Sequence, residues 1–371
     1  MEGKMESDIQ ESIKHLKKSP IHFASLAGLE LFHRNILYYI LNNNKKNPQI
    51  ITSIIQECQD ELKINEVLKE KNHFDILIKA ESPEGAVNII LEIKAKTLPD
   101  KNQLEKYNKT IESKYRERKN YKIYITLYNT KILEEIHLDK FLESNGWKSI
   151  DLIGMHKLIE DYSDINNEAY KNSFADYKTT LQHQCNVINS ILKHPNEIKK
   201  IKEIELNSIC EKILAAKACA EIMNNIKPHN SNVNNISTEN INFNVIHTRG
   251  RIGIELFINK PHERKSIRTG VQIQGDAVNV FFDHDDDFSV NYAENFIDKY
   301  IKEIKLLGEN INFTKNKKSK YRYSPNFFYR KFKLPNNMTA LDVINQINKD
   351  AKDCSEEIQR IISDLAEIMD G

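Results

Sequence analysis

His73-Phe74-Asp75-Ile76-Leu77-Ile78 and Ile90-Leu91-Glu92-Ile93-Lys94-Ala95 are the two stretches whose reading decides the fold. Both read as half-buried strands. Asp75 stands in a run of Phe, Ile and Leu, while Glu92 and Lys94 alternate with Leu91, Ile93 and Ala95. A period of two puts Glu92 and Lys94 on one face of the strand and the apolar residues on the other. Lys79-Ala80-Glu81-Ser82-Pro83-Glu84-Gly85 between them is turn chemistry, which predicts a hairpin. An Asp, a Glu and a Lys then converge on one side of a small sheet. That set suits a divalent cation with an ammonium beside it.

Working outward, the periodicity predicts a helix from Phe23 to Asn42 and a second near Ile50 to Leu62, ahead of the hairpin. After it, Pro99-Asp100 opens a helix through Gln103 and Tyr107 to about Arg118. Tyr121–Leu127 and Trp147–Ile153 read as strands, and His156–Tyr162 as a helix. The order strand, strand, helix, strand, helix, strand predicts an α/β mixed sheet flanked by helices over residues 1–165. Residues 166–235 read as a helical connector: Phe174–Ile226 is helical, and Lys227–Asn240 is an Asn/Ser-rich linker. Residues 236–371 read as a smaller α+β domain. Its strands are Phe243–His247, Gly253–Ile258 and Ala277–Phe282, with helices at Ala293–Leu307 and Leu341–Met369.

The 371 residues suffice for two domains. Hydrophobic residues at 40% and charged ones at 29% exclude a disordered chain. With 54 Lys+Arg against 53 Asp+Glu the net charge is +1, so only local patches can speak for nucleic acid. The five cysteines are scattered without zinc spacing, which argues against a disulfide framework or structural zinc. No run approaches about 18 apolar residues, and the first residues lack the apolar core of a signal peptide. A reduced, cytoplasmic protein without a membrane partner is expected.

Hydrolysis of a phosphodiester needs an activated water, neutralised charge on the phosphate and help for the leaving oxygen. Mg²⁺ or Mn²⁺ on carboxylate oxygens can serve all three needs. Asp75 and Glu92 are the candidate ligands, with the Ile93 carbonyl a plausible third. Lys94 is placed to orient the attacking water and offset phosphate charge. Glu-x-Lys alone is common in a chain so rich in both, and a solvated strand face is the competing reading. Asp75 in an apolar strand counts against that reading, because an unpaired carboxylate there is costly. Gln103 and Tyr107 share a helix face at i, i+4, and Glu30 lies one turn before His33 in an apolar helix.

With these residues in order, the chain resembles the PD-(D/E)xK nuclease superfamily. Phe74-Asp75 stands at the family's Pro-Asp, and Glu92-Ile93-Lys94 matches its E-x-K. Gln103-Leu104-Glu105-Lys106-Tyr107 matches the Q-x-x-x-Y of the RecB-like branch. Glu30-Leu31-Phe32-His33-Arg34-Asn35-Ile36-Leu37 resembles an E-x-x-H-S-x-x-L helix of a bacterial branch associated with phage defence, with Arg34 in place of Ser. Tyr124-Ile125-Thr126-Leu127 is similar to a strand that follows the catalytic helix in such proteins. The resemblance spans about residues 20–165. It implies a restriction-endonuclease-like fold, a metal held by Glu30, Asp75 and Glu92, and Lys94 as the catalytic cation. Gln103 and Tyr107 would steady the phosphate or the metal-bound water. His33 would orient Glu30 or contact phosphate, against a purely structural histidine. It also implies Mg²⁺ or Mn²⁺ as cofactor, nucleic acid (DNA above all) as substrate, and a protein partner from a shared operon or self-association as options.

Two features lie outside this resemblance. Asp283-His284-Asp285-Asp286-Asp287 has carboxylates at EF-hand-like spacing, but Phe288 stands where the loop needs Gly, so a solvated acidic turn is expected. Lys317, Lys318, Lys320, Arg322 and Arg330 interleave with tyrosines, a pattern suited to phosphates and stacked bases and equally to ordinary Lys-rich exposure. The expected function is a metal-dependent deoxyribonuclease. Its rivals are a silent nucleic-acid-binding or scaffold subunit of the same fold and a nuclease active only with a partner.

Overall fold

The computed structural model describes residues 2–46, 49–55, 62–95, 97–98, 101–162, 168–226, 241–248, 251–262, 265–284, 305–306, 309–310, 320–324, 327–334 and 337–370. It divides into two compact units, Met1–Cys210 and Glu211–Gly371. The helical stretch expected to be a connector is therefore shared between the units. Its first long helix packs within the first unit.

In the first unit, four helices come first: α1 (Glu2–Leu16), α2 (Pro20–Leu26), α3 (Leu29–Asn43) and α4 (Gln49–Ile55). The helix expected over Phe23–Asn42 is thus broken at Ala27-Gly28, with Gly28 capping α3. Five strands form one sheet in sequence order: β1 (Lys63–Lys69), β2 (Ile76–Ser82), β3 (Gly85–Lys94), β4 (Lys119–Thr126) and β5 (Trp147–Asp151). The hairpin β2–β3 is antiparallel, as its turn chemistry requires, and β1 runs antiparallel to β2. β3, β4 and β5 are parallel. Parallel neighbours need crossovers, which α5 (Lys101–Lys114) supplies between β3 and β4, and α6 (Lys131–Glu135) with α7 (Asp139–Ser144) between β4 and β5. α8 (Leu152–Tyr162) follows β5, and α9 (Glu168–Lys193) packs against α1, α2 and α8.

Helix cover explains the burial of the central strands. Ile76, Leu77, Ile78, Ile89, Ile90, Leu91 and Ile93 are all fully enclosed, so both parities of the hairpin are inside. Trp147, Phe74, Tyr124 and Tyr128 complete this core. α5 presents Leu104, Tyr107 and Ile111 to the sheet at i, i+3 and i+7. The second expected helix is present as α4, its residues 56–61 lying outside the described residues, and β1 follows it as a strand that the sequence reading did not assign. A bulge between Ile64 and Glu66 shifts its register, which removes the alternation by which a strand is recognised.

The second unit holds a six-stranded antiparallel sheet in the order β12-β13-β9-β8-β7-β6. Its strands are β6 (Ile241–Thr248), β7 (Arg251–His262), β8 (Lys265–Gln274), β9 (Ala277–His284), β12 (Lys320–Ser324) and β13 (Phe327–Lys333). β10 (Lys305–Leu306) and β11 (Glu309–Asn310) pair separately, so the end of the helix expected over 293–307 is extended instead. A 3-10 helix at Pro195–Ile204 precedes α10 (Asn207–Asn225), which begins in the first unit, and the second unit ends in α11 (Ala340–Lys349) and α12 (Ala351–Asp370). The last expected helix is thus two helices broken at Asp350. α11 starts in a capping box in which Thr339 and Asp342 bond reciprocally. The linker 227–240 and acidic residues 285–287 lie outside the described residues, but Asp283 lies in β9, where Arg268 holds its Oδ2 at 2.9 Å.

Candidate active site

Asp75 is placed by a tight bend rather than by a strand. Ahead of it Glu70, Asn72 and His73 adopt left-handed backbone with φ of 56°, 56° and 72°. Such φ values are uncommon outside Gly and Asn, and at functional sites they are held by surrounding contacts. Here Arg34 pairs with Glu70, Asn72 Nδ2 donates to the Tyr115 hydroxyl, and Lys114 donates to Asn72 Oδ1 at 2.9 Å. The β2–β3 ladder ends at Ile76 opposite Leu91. Beyond that pair, the Ile93 N–H donates to Asp75 Oδ2 at 2.8 Å instead of to backbone. The N–H and C=O of one strand residue point to the same side. The Ile93 carbonyl therefore faces the Asp75 side, though the contact shown is made by its N–H.

Glu92 is not on a solvated face. It is 1% exposed, opposite Tyr124 of β4. Its Oε1 accepts from Lys94 Nζ at 2.7 Å, from Gln103 Nε2 at 3.2 Å and from the Tyr107 hydroxyl at 3.3 Å. Gln103 also donates to the Tyr107 hydroxyl, so the i, i+4 pair acts on Glu92 together. Its other oxygen, Oε2, is buried and has no hydrogen-bond partner. Tyr107 is fixed edge-on against Phe74 and lies beside Trp147. Glu30, in the first turn of α3, accepts from the Thr97 hydroxyl at 2.6 Å, and its charge reaches Lys94.

The electrostatics follow from burial. Burial and then the nearby charge of Asp75 push the Glu92 carboxyl up to about 7, against the opposing pull of Lys94 and Tyr107. Burial also raises Asp75, with the Ile93 N–H, Lys94 and Arg34 working the other way. Burial alone would lower Lys94, but Glu92, Glu30 and Asp75 together outweigh it and raise Lys94 above its ordinary 10.5. Lys94 is therefore an ammonium at neutral pH. It can donate and neutralise charge but cannot serve as the base.

Arg34, Thr97, Tyr124 and Tyr128 belong to this neighbourhood and were not assigned roles from sequence. Arg34 Nη1 lies 3.3 Å from Asp75 Oδ1, and the side chain is 13% exposed. Its position four residues after Glu30 was the available signal, since both then share a helix face. Of its two readings, His33 has the surroundings of the structural one. Its Nδ1 bonds the Tyr177 hydroxyl at 2.7 Å, Nε2 has no partner, and burial lowers the ring to about 3. It is a neutral packing residue between α3 and α9, and neither ring nitrogen bonds Glu30. Lys317 and Lys318 lie outside the described residues. Lys320 pairs in register with Arg330, and Arg322 with Phe328, all in the second unit.

Among the described residues, no three His, Cys, Asp or Glu side chains are grouped closely enough to hold a metal ion as they stand. The donor set nonetheless suits a hard cation: repelling carboxylates of Asp75 and Glu92, Glu30 nearby, and the unpartnered Glu92 oxygen. No helix among the described residues is long and apolar enough to cross a membrane. No family model, curated protein or solved structure matches the chain.

Proposed function

We propose that the first unit is a restriction-endonuclease-like domain and that the site built on Asp75, Glu92 and Lys94 hydrolyses phosphodiester bonds of DNA with Mg²⁺ or Mn²⁺. The observation that carries this reading is Glu92: a buried carboxylate with one oxygen bound by Lys94 and the other unpartnered. A buried, half-satisfied carboxylate is costly, and a cation is the natural complement. Asp75, Glu92 and Glu30 would hold the ion, which on binding supplies Lewis acidity to the phosphate and an activated water. Lys94, permanently charged, neutralises the phosphate and donates to the incoming oxygen. Gln103 and Tyr107 hold Glu92 in place. A role in phage defence rests on the resemblance described above.

One observation favours the silent-subunit reading. Asp75 and Glu92 each already carry a side-chain cation, Arg34 and Lys94. The experiment compares wild type, Asp75→Ala and Lys94→Ala on linear, circular and single-stranded DNA with Mg²⁺ and Mn²⁺. Cleavage by wild type, lowered at least about a hundredfold in both variants, is expected. Equal activity in all three proteins sinks the site. DNA binding by wild type without cleavage under any condition supports the silent subunit.

A further inference from the structure

Three buried side-chain oxygens of this neighbourhood lack partners: Glu92 Oε2, the Tyr124 hydroxyl and the Tyr128 hydroxyl. Both tyrosines are fully enclosed. Register sets Tyr124 opposite Glu92 on adjacent parallel strands, so the two side chains rise from the same sheet face. Tyr124 is close enough to feel the charges of Glu92, Glu30 and Asp75, and Tyr128 that of Glu30. Burial first raises both phenols, followed for Tyr124 by neighbouring Tyr128 and then the three carboxylates, and for Tyr128 by Glu30, so each stays a protonated donor. Thr126 bonds the Tyr128 carbonyl at 2.6 Å, which fixes the turn at the end of β4 while leaving the hydroxyl unspent.

Native interiors rarely leave three polar groups unpaired together, and buried water commonly satisfies such groups. Core packing does not explain the hydroxyls, since phenylalanine would fill the same space without the desolvation cost. Gln103 and Tyr107 do not use them either, because both act on Glu92 Oε1.

We infer that Tyr124 and Tyr128 are positioning residues of the same site: their hydroxyls hold the water that bridges to Glu92 Oε2 and Glu30 when a divalent cation is bound. This inference rests on the metal-binding reading above. It adds a rear wall of two donors to a site otherwise built from carboxylates, Lys94 and the Gln103–Tyr107 pair. Such outer contacts orient metal-holding carboxylates and are commonly worth a factor of ten or more in affinity.

The test measures Mn²⁺ binding by electron paramagnetic resonance and thermal unfolding of the metal-free protein, for wild type, Tyr124→Phe, Tyr128→Phe and Asp75→Ala. The expected result is Mn²⁺ affinity lowered about tenfold in each Phe variant, with metal-free melting temperature unchanged or raised because an unpartnered hydroxyl is gone. Phe variants that bind Mn²⁺ like wild type, while Asp75→Ala does not bind, overturn the tyrosine assignment alone. A marked fall in metal-free melting temperature in the Phe variants also overturns it, by showing a structural role. Binding retained in Asp75→Ala, or absent in wild type, overturns the metal reading and this inference with it.

Discussion

Replacing Glu92 by Gln should flatten the pH dependence of folding stability in the metal-free protein between pH 5 and 7.5. The buried carboxyl sits at about 7 instead of its ordinary 4.5, chiefly because burial disfavours its charge. A carboxylate raised on folding binds more protons in the native state than in the unfolded one. Its destabilising effect is absent below the unfolded value and fully present above the folded one, so stability falls as pH rises through that window. At about 1.4 kcal/mol per pH unit, the difference comes to about 3 kcal/mol. For a unit of the size of Met1–Cys210, that is roughly 6–12 °C in melting temperature. Glu92→Gln also strips Lys94 of its partner, which lowers the whole curve without tilting it in this range. Melting temperatures at half-unit steps of pH, with the metal chelated, give both curves. Parallel curves from pH 5 to 7.5 would refute the claim that Glu92 is a buried acid raised well above its ordinary value.

Other perturbations probe the supports. Arg34→Ala should destabilise the first unit by about 3 kcal/mol in urea unfolding at pH 7, because Asp75 loses its cation and the Glu70 turn its anchor. Arg34→Lys should fail to restore it, since one ammonium cannot span both carboxylates. Tyr107→Phe should cost only about 1 kcal/mol in the same assay, for its hydroxyl contacts to Glu92 and Gln103 are replaceable. Tyr107→Ala should cost about 3–5 kcal/mol by removing the ring packed on Phe74 and Trp147. Gly270→Ala should unfold the second sheet at much lower urea, since a Cβ there would meet the Leu256 carbonyl at 2.0 Å. Gly28→Ala, whose nearest neighbour would be Leu31 Cβ at 3.5 Å, should be tolerated.

The hairpin and the crossover helix were legible because their signals are local: period two around Glu92, turn residues at 79–85, and the Pro99-Asp100 opening with Gln103 and Tyr107 at i, i+4. β8 was missed for an equally local reason. Ile267, Thr269, Val271 and Ile273 alternate correctly, but Gly270 in their midst reads as a break. The structure shows why Gly stands there: neighbouring backbone comes too close for any side chain. The bend before Asp75 was illegible because three left-handed residues, only one of them Asn, are imposed by contacts from α3 and α5.

Parity alone could not decide the central question, whether Glu92 faces water. Alternating charge and apolar residues describe a solvated face and a covered polar site equally well, and the cover comes from α3 and α5, remote in sequence or across a crossover. A solvated glutamate would titrate near its ordinary value with both oxygens hydrated. Glu92 is buried, raised and half-satisfied. An unpartnered buried oxygen of this kind costs about 1–3 kcal/mol or more for a charged group. Leucine in the same strand would avoid that cost, and Lys94 would then be needless at 12% exposure. The cation proposed for this site would give that oxygen a partner and offset the second carboxylate, Asp75, whose charge raises Glu92.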